Sequence, residues 1–179
     1  MSGSPGPAPS GASFQDRSHA LLTFWLSDCL AALPVGDIER ITALAELARP
    51  PGLPLILEGI LNLAGAAVPV LRLDRLFGLK AQHPGLYSML IILRDGNGGK
   101  LAILADRVSE ILSVSRDALH PIGKEDVFNA CADAILKVGQ ETAHVLSRDR
   151  LLLEKERLML SQFQAMEQIR LEKWKAGQA

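Results

Sequence analysis

The sequence predicts a mainly β protein with two small barrel-like lobes and one long C-terminal helix. Short aliphatic runs of strand length recur between residues 20 and 147, and residues that favour turns separate them. This spacing favours small barrels over a parallel sheet with crossover helices. Residues 149–176 contain neither proline nor glycine and are rich in helix formers, which predicts one continuous helix with Ser147 or Asp149 as its N-cap.

Composition narrows the class of protein. The chain has 179 residues, enough for one domain or two small lobes, and 48% of them are hydrophobic but only 4% aromatic, so we expect an aliphatic core. A net charge of −1 argues against a nucleic-acid surface. Cys29 and Cys131 are far apart in sequence and fit two reduced thiols. Residues 1–18 are rich in Pro, Gly, Ser and Ala and predict a disordered tail without a targeting signal.

The stretch GILNLAGAAVPVLRLDRLFGL, residues 59–79, predicts a buried β-hairpin followed by a short helix. Its uninterrupted apolar part is shorter than the span of about 20 residues that a membrane helix needs. GILNL and AVPVLRL have strand length, and AGA between them is the turn. Pro69 cannot donate a hydrogen bond to a neighbouring strand, so we expect it at a strand edge or a bulge. Gly78 ends the short helix.

The other elements follow from the same patterns. Ala20–Ser27 and the following CLAALPV are predicted strands with Ser27 and Asp28 as their turn, and further strands are predicted in YSMLIILRD, in KLAILADRVSEILSV and on both sides of Gly139. The segment DIERITALAELA, residues 37–48, remains ambiguous, because its isoleucines and leucines keep helical spacing while Ile38 and Ile41 also fit a strand.

The sequence offers no constellation of catalytic or metal-ligating residues. The four histidines have no second ligand at a convincing spacing, and the fingerprints of nucleotide loops and nucleophile elbows are missing. Asp74 and Arg75 are interpreted as a solvated or local ion pair. A chain this apolar without such clusters is typical of a non-catalytic interaction module, without metal or cofactor.

The hairpin and its flanks resemble the CheW-like domain family. The resemblance rests on Asn62, Leu63, Gly65, Pro69 and the region of Leu73, which match the family's Asn-Leu-Arg-Gly turn, its strand with proline and the Asp-Leu before a short helix. Upstream, LTFWLSDCLAALPVGDIERI resembles the family's first strands. Downstream, KLAILADRVSEILSV resembles a strand that ends in Val-Asp and then Val-x-x-Val.

The resemblance implies two five-stranded β-barrel lobes around one hydrophobic core. We expect a CheW-like domain over residues 19–153, with lobes at about 19–82 and 83–148, and a helix over 149–176. It also implies a cytoplasmic adaptor that couples the tips of chemoreceptors (methyl-accepting chemotaxis proteins) to the regulatory domain of a CheA-type histidine kinase. Receptor tips, which are helical hairpins, bind in a groove between the lobes. The alternative from barrel architecture alone is an OB-like nucleic-acid module, which the scarcity of aromatic residues disfavours.

Position by position, the resemblance implies three groups of residues at the receptor- and kinase-binding groove. The hairpin contributes Gly59, Asn62, Ala64 and Gly65; another wall contributes Ile38 and Arg40; the floor contributes Ser88, Met89 and Leu90. Ile38, Met89 and Leu90 also fit an ordinary core, and Gly59 and Gly65 a purely conformational role. Two residues depart from the family pattern: Ala64 replaces the turn arginine, and Arg40 stands where an acidic residue is frequent.

The terminal helix, longer than the family usually carries, has an amphipathic pattern. Met159, Phe163, Met166 and Ile169 gather on one face. One interpretation packs this stripe on the protein's own second lobe. The other lets the half beyond Leu160 overhang, so that Phe163, Met166 and Ile169 dock on a partner or on a second copy of the chain. We expect no membrane insertion.

Overall fold

The computed structural model describes residues 19–96, 99–122, 131–151 and 154–178, with side chains from residue 159 onward in the last range. The predicted tail 1–18 lies outside the described residues. The elements are β1 (His19–Leu26), β2 (Cys29–Pro34), β3 (Ile38–Ala43), β4 (Leu57–Leu63), β5 (Ala66–Leu71), α1 (Leu73–Leu76), β6 (Met89–Leu93), β7 (Ala102–Ala105), β8 (Arg107–Val114), β9 (Leu119–Pro121), β10 (Ala132–Val138), β11 (Glu141–Leu146) and α2 (Glu154–Gly177).

The strands form two sheets, so the prediction of a mainly β fold with a C-terminal helix is confirmed. One sheet has six strands in the order β8-β1-β2-β11-β10-β9, and the other has five in the order β3-β6-β7-β5-β4. The closure of each lobe into a five-stranded barrel is not confirmed. Among the described residues neither sheet closes, and the six-stranded sheet has one strand more than predicted.

The part of the chain that forms the five-stranded sheet is inserted between the two parts that form the six-stranded sheet. The six-stranded sheet combines β1 and β2 with β8 to β11, while the five-stranded sheet consists of β3 to β7. The parallel pairing of β2 with β11 joins the beginning of the domain to its end. The predicted lobes 19–82 and 83–148 therefore do not each coincide with one sheet.

Buried apolar side chains form three clusters, where the resemblance implied one core. The first lies between the two sheets and includes Phe24, Leu33, Ile91 and Ile103. The second covers the other face of the five-stranded sheet, and the third covers the other face of the six-stranded sheet. Because both faces of the central strands are buried, these strands are apolar at nearly every position instead of alternating.

The ambiguous segment 37–48 begins with a strand and not a helix. Ile38–Ala43 forms β3, which pairs with β6 at the edge of the five-stranded sheet. The chain then crosses to the opposite edge, where Ala48 exchanges two backbone hydrogen bonds of 2.9 Å with Ile60 of β4. Backbone pairing with β6 thus outweighs the helical spacing of the leucines in this segment.

The hairpin and short helix of residues 57–76 agree with the sequence prediction. Pro69 differs from it, because it lies inside β5, which is not an edge strand. The pairing of β5 with β7 starts only at Val70. Pro69, which has no N–H, therefore lies just before the residues of β5 that bond to β7.

Candidate partner-binding surface

The turn between β4 and β5 is a two-residue turn with both residues in the left-handed region. Ala64 has φ 51° and Gly65 has φ 89°, the values of a type I′ hairpin turn. The side-chain oxygen of Asn62 accepts a hydrogen bond of 2.9 Å from the N–H of Gly65. Asn62 and Ala64 are exposed and Gly65 is half-buried. The turn therefore presents three small, uncharged residues at the surface.

Gly59 has a structural role inside the five-stranded sheet. A Cβ at this position would lie 2.7 Å from Cβ of Leu47 and 2.9 Å from the carbonyl oxygen of Ala48. Only glycine leaves room for the segment that crosses to β4 and pairs with Ile60. Gly59 is buried and does not face solvent.

Three more of the predicted site residues are also buried. Leu90 has no exposed surface and belongs to the second cluster, on the outer face of the five-stranded sheet. Ile38 is 8% exposed and belongs to the first cluster, between the sheets. The hydroxyl of Ser88 accepts a hydrogen bond of 2.8 Å from the N–H of Gly85. These residues fix the shape of the surface without lining it.

Met89 is the half-buried member of the predicted floor. It pairs with Ala43 of β3, and Ile41 pairs with Ile91, whose side chain lies in the cluster between the sheets. Directly paired residues share a face, so Met89, Ala43 and Ile41 lie on the side of the sheet that turns toward the six-stranded sheet. Arg40 is exposed but lies on the opposite face from Ile41. Ile41 was not selected from the sequence. It is nevertheless better placed than Ile38 or Arg40 to contact a partner on this face of the sheet.

The hairpin turn lies at the same end of the lobe as Met89. The pairing of Ala48 with Ile60 is antiparallel, so the chain before Ala48 runs beside β4 toward its end. Leu44, the residue after β3, and Leu63, the last residue of β4, pack on the same apolar cluster. The backbone pairings thus place the end of β3, which pairs with the start of β6, at the same end of the five-stranded sheet as the hairpin turn.

The edge strand β8 of the six-stranded sheet contributes an apolar residue that the sequence did not single out. Ile111 pairs with Leu22, which lies in the cluster between the sheets, and Ile111 is nevertheless 60% exposed. Each sheet therefore presents exposed apolar side chains from its edge strand on the face that turns toward the other sheet.

The helix α2 is fixed to the hairpin by two glutamines. Oε1 of Gln168 accepts a hydrogen bond of 3.0 Å from the N–H of Ala67, and Nε2 of Gln164 donates one of 2.8 Å to the carbonyl of Ala67. Nε2 of Gln168 also donates to the carbonyl of Gly65 at 3.1 Å. Ala67 precedes the part of β5 that pairs with β7. The glutamines therefore satisfy backbone groups that would otherwise lack a neighbouring strand.

The apolar residues of α2 divide between two faces. Leu160 is buried in the cluster between the sheets, and Phe163 and Leu171 pack against that cluster. We expected Phe163 to overhang the domain, and this expectation is wrong. Phe163 is next to Gln164 on the helix and packs against the domain. Met166 and Ile169 are 66% and 54% exposed, so they stay candidates for a partner-binding face.

A buried ion cluster links the hairpin to the segment after it. The guanidinium of Arg72 donates to both carboxylate oxygens of Asp74, at 2.8 and 2.5 Å, and to Glu58 at 2.9 Å. Arg49 and Arg75 also contact Glu58, at 2.7 and 3.1 Å. The interpretation of Asp74 and Arg75 as a local pair is therefore wrong, because the ion-pair partner of Asp74 is Arg72.

The arginines control the protonation of the two carboxylates. Burial raises the pKa of Glu58, but hydrogen bonds from Arg49 and Arg72 outweigh it and hold this pKa below its ordinary value. Burial likewise raises the pKa of Asp74, and the hydrogen bond and charge of Arg72 reverse the effect. The hydrogen bond to Asp74 in turn raises the pKa of Arg72. All three groups are therefore charged at neutral pH.

An open pocket of about 490 Å³ lies between the β1–β2 turn and Tyr87, two residues before β6. Trp25, Tyr87, Asp28 and Asp106 are among the residues that line it. The guanidinium of Arg107 stacks 5.3 Å from the centre of the Trp25 ring. The charged groups of this pocket have mixed sign, and Tyr87 places it close to Met89.

The architecture and the hairpin agree with one known family. The sequence model of the CheW-like domain matches residues 20–156. The chain belongs to the CheW-like domain family. Similar proteins include the chemotaxis protein CheW of Thermotoga maritima, 23% identical over 138 residues that cover 77% of this chain and 90% of that protein. The chemotaxis protein CheW of Treponema pallidum is 25% identical over 105 residues, 57% of this chain and 62% of that protein.

A solved structure has the same fold. The scaffolding protein TtCheW from Thermoanaerobacter tengcongensis superposes with a TM-score of 0.68 at 22% identity, over 73% of this chain and 90% of that chain. The CheW-like match includes β1 to β11 but ends at residue 156, near the start of α2. The residues of α2 that contact the hairpin therefore lie outside the region matched to the family. No helix in the described ranges combines the length and apolarity that a membrane crossing requires.

Proposed function

We propose that this protein is a non-catalytic, cytoplasmic adaptor that couples chemoreceptor tips to a CheA-type histidine kinase in a chemosensory array. The observation that carries the proposal is the CheW-like match over residues 20–156, which includes every strand of both sheets. Relatives named as chemotaxis proteins and a structural neighbour named as a scaffolding protein support it. The nucleic-acid alternative has no support, because the chain carries a net charge of −1 and belongs to another family.

The receptor-binding surface is the groove between the edge strands of the two sheets. Ile41, Ala43 and Met89 form its wall on the five-stranded sheet, Ile111 forms its wall on the six-stranded sheet, and the turn with Asn62, Ala64 and Gly65 lies at its end. Exposed apolar side chains beside a polar turn suit the apolar stripe of a helical hairpin, which buries such residues in a groove.

The test is binding of the purified protein to two probes, a soluble signalling-tip fragment of a chemoreceptor and the regulatory domain of a CheA-type kinase. We expect each to bind alone and all three to form a ternary complex on size-exclusion chromatography. Binding of neither probe would refute the adaptor function. Binding of both probes only in competition would refute the coupling role.

The groove is tested by a charge at Met89. Met89→Glu is expected to weaken receptor binding at least about tenfold, because a buried unpaired charge opposes docking, and to leave kinase binding unchanged. Gln140→Glu is the control, since it adds the same charge at the exposed turn between β10 and β11. Equal receptor affinity for Met89→Glu and the control would exclude Met89 from the surface.

Self-association through α2 is a second part of the proposal. Met159, Met166 and Ile169 are 45%, 66% and 54% exposed and lie on the side of α2 away from Gln164. An apolar stripe of this kind suits a second copy of the same helix. Light scattering of Met166→Lys/Ile169→Lys tests it: we expect a lower mass than for the wild type at high concentration, and a monomeric wild type would refute it.

A further inference from the structure

The last turn of α2 brings a positive charge to the β4–β5 turn. The Nζ atom of Lys175 occupies the space that a Cβ at Gly65 would take. Because Gly65 has no side chain, the ammonium approaches the backbone of the turn directly. The hydrogen bonds that join Gln164 and Gln168 to the backbone of Ala67 and Gly65 hold the helix in the position that makes this approach possible.

The ammonium of Lys175 has no intramolecular counter-ion among the described residues. The ion pairs of these residues do not include Lys175. Glu172, the acidic residue closest to it along the helix, instead receives a hydrogen bond of 3.3 Å from Gln168. An exposed ammonium held at a surface turn is thus available to a carboxylate of another molecule.

The turn itself is uncharged, since its exposed positions are Asn62 and Ala64 and its half-buried position is Gly65. The positive charge beside it comes from Lys175 of α2. We propose that α2 completes the receptor-binding surface and that Lys175 pairs there with a carboxylate on the receptor's helical hairpin. This inference rests on the proposed function and makes a segment outside the CheW-like match a determinant of specificity.

The experiment measures the affinity of the full chain for the soluble receptor-tip fragment by isothermal titration calorimetry. Lys175→Glu is expected to weaken binding about tenfold and Lys175→Ala about threefold, because a rim charge pair is modest in water while its reversal adds repulsion. The affinity lost in Lys175→Glu should shrink as salt rises from about 50 to about 500 mM, since salt screens exposed charges.

The matched control is Lys173→Glu. Lys173 is exposed on the same helix two residues earlier, and two residues correspond to about 200° of rotation, so it points away from the hairpin. A lysine near the C-terminus of a helix also stabilises the helix itself, and this control carries the same effect. We expect its affinity to stay within about twofold of the wild type. Equal losses in Lys173→Glu and Lys175→Glu would overturn the specific role of Lys175.

A second variant separates the charge from the helix contact. In Lys175→Ala/Ala64→Arg the positive charge is placed on the turn itself, next to Gly65. We expect it to recover the affinity lost in Lys175→Ala. A double variant that stays weak would show that the charge does not matter and would overturn the proposal. If the wild type binds the receptor tip and Lys175→Glu binds it with the same affinity, only this inference is refuted. If the wild type does not bind the receptor tip, the proposed receptor coupling is refuted as well.

Discussion

Arg72, which lies between β5 and α1, and Asp74, in the first turn of α1, form a two-pronged ion pair in the protein interior. Both residues are 3% exposed, and the guanidinium uses its other donors for Glu58 and for the carbonyl of Gln82 at 2.6 Å. This single arginine therefore connects β4, α1 and the segment that leads to β6. Four predictions follow from this cluster and from the contacts around the hairpin.

Arg72→Met should lower the free energy of unfolding by about 3–5 kcal/mol. The methionine keeps most of the volume but leaves Asp74 without its ion pair in a buried site. Arg40→Met is the control, because Arg40 is exposed on β3 and its loss should change stability by less than about 0.5 kcal/mol. Urea denaturation measures both. A loss below about 1 kcal/mol for Arg72→Met would contradict the role of the cluster.

Stability should fall as the solution becomes acidic. The folded-state pKa values of Glu58 and Asp74 are lowered, so the folded protein binds fewer protons than the unfolded chain. Their contribution is complete above the unfolded pKa values of about 4 and is lost as pH falls through the lower folded values. Urea midpoints between about pH 7 and 3 should show this drop. Asp74→Asn should flatten it, whereas Asp149→Asn, with a side chain 83% exposed, should not. Equal slopes in both variants would refute this assignment.

Gly59→Ala should destabilise the five-stranded sheet by about 1–3 kcal/mol. The added methyl group would meet Leu47 and the carbonyl of Ala48, and backbone atoms cannot move aside as a flexible side chain does. Gly36→Ala is the matched control, since nothing lies within 4 Å of a Cβ at that position. The measurement is the difference in thermal midpoint between the two variants, and similar midpoints would argue against close packing at Gly59.

Gln168→Leu should expose the end of β5 to solvent exchange. The N–H of Ala67, a residue 1% exposed, would lose its acceptor, which costs about 1–3 kcal/mol for a buried donor. Hydrogen exchange at Ala67 by NMR should accelerate, while Gln162→Leu, at an exposed position of α2, should leave it unchanged. Unchanged exchange in Gln168→Leu would mean that α2 does not protect this strand.

The elements with strong local patterns were predictable. The runs around Gly59–Leu71 and the Ala64–Gly65 turn became β4, β5 and their hairpin. Most of the stretch free of proline and glycine became α2, but this helix begins at Glu154 and not at residue 149, because Arg148–Arg150 forms a separate 3₁₀ turn; Ser147 and Asp149 therefore do not cap α2. Segment 37–48 was not predictable, because Ile38 and Ile41 fit both a helix and a strand. Only the pairing of β3 with β6 decides for the strand. The hairpin motif was also sufficient to suggest the family.

The candidate surface was only partly predictable. Met89 and Leu90 were both selected, and alternation required that only one of them be accessible, but the sequence does not tell which face is buried. Ile41 and Ile111 were missed, since exposure of an isoleucine in an edge strand depends on which strands lack a neighbour. The i, i+4 spacing of Gln164 and Gln168 beside Leu160 and Leu171 was a signal that the sequence contained.

The sequence by itself determined the strands with strong local patterns, the hairpin turn, most of the long helix and the family, because periodicity, turn residues and helix propensity act between neighbours in the chain. The tertiary structure alone decided that the sheets interleave, that Arg72 and Asp74 pair in the interior, and that α2 places Lys175 at Gly65. The physical reason is that each of these depends on contacts between residues far apart in sequence or on burial. A local pattern of residue types specifies neither of these.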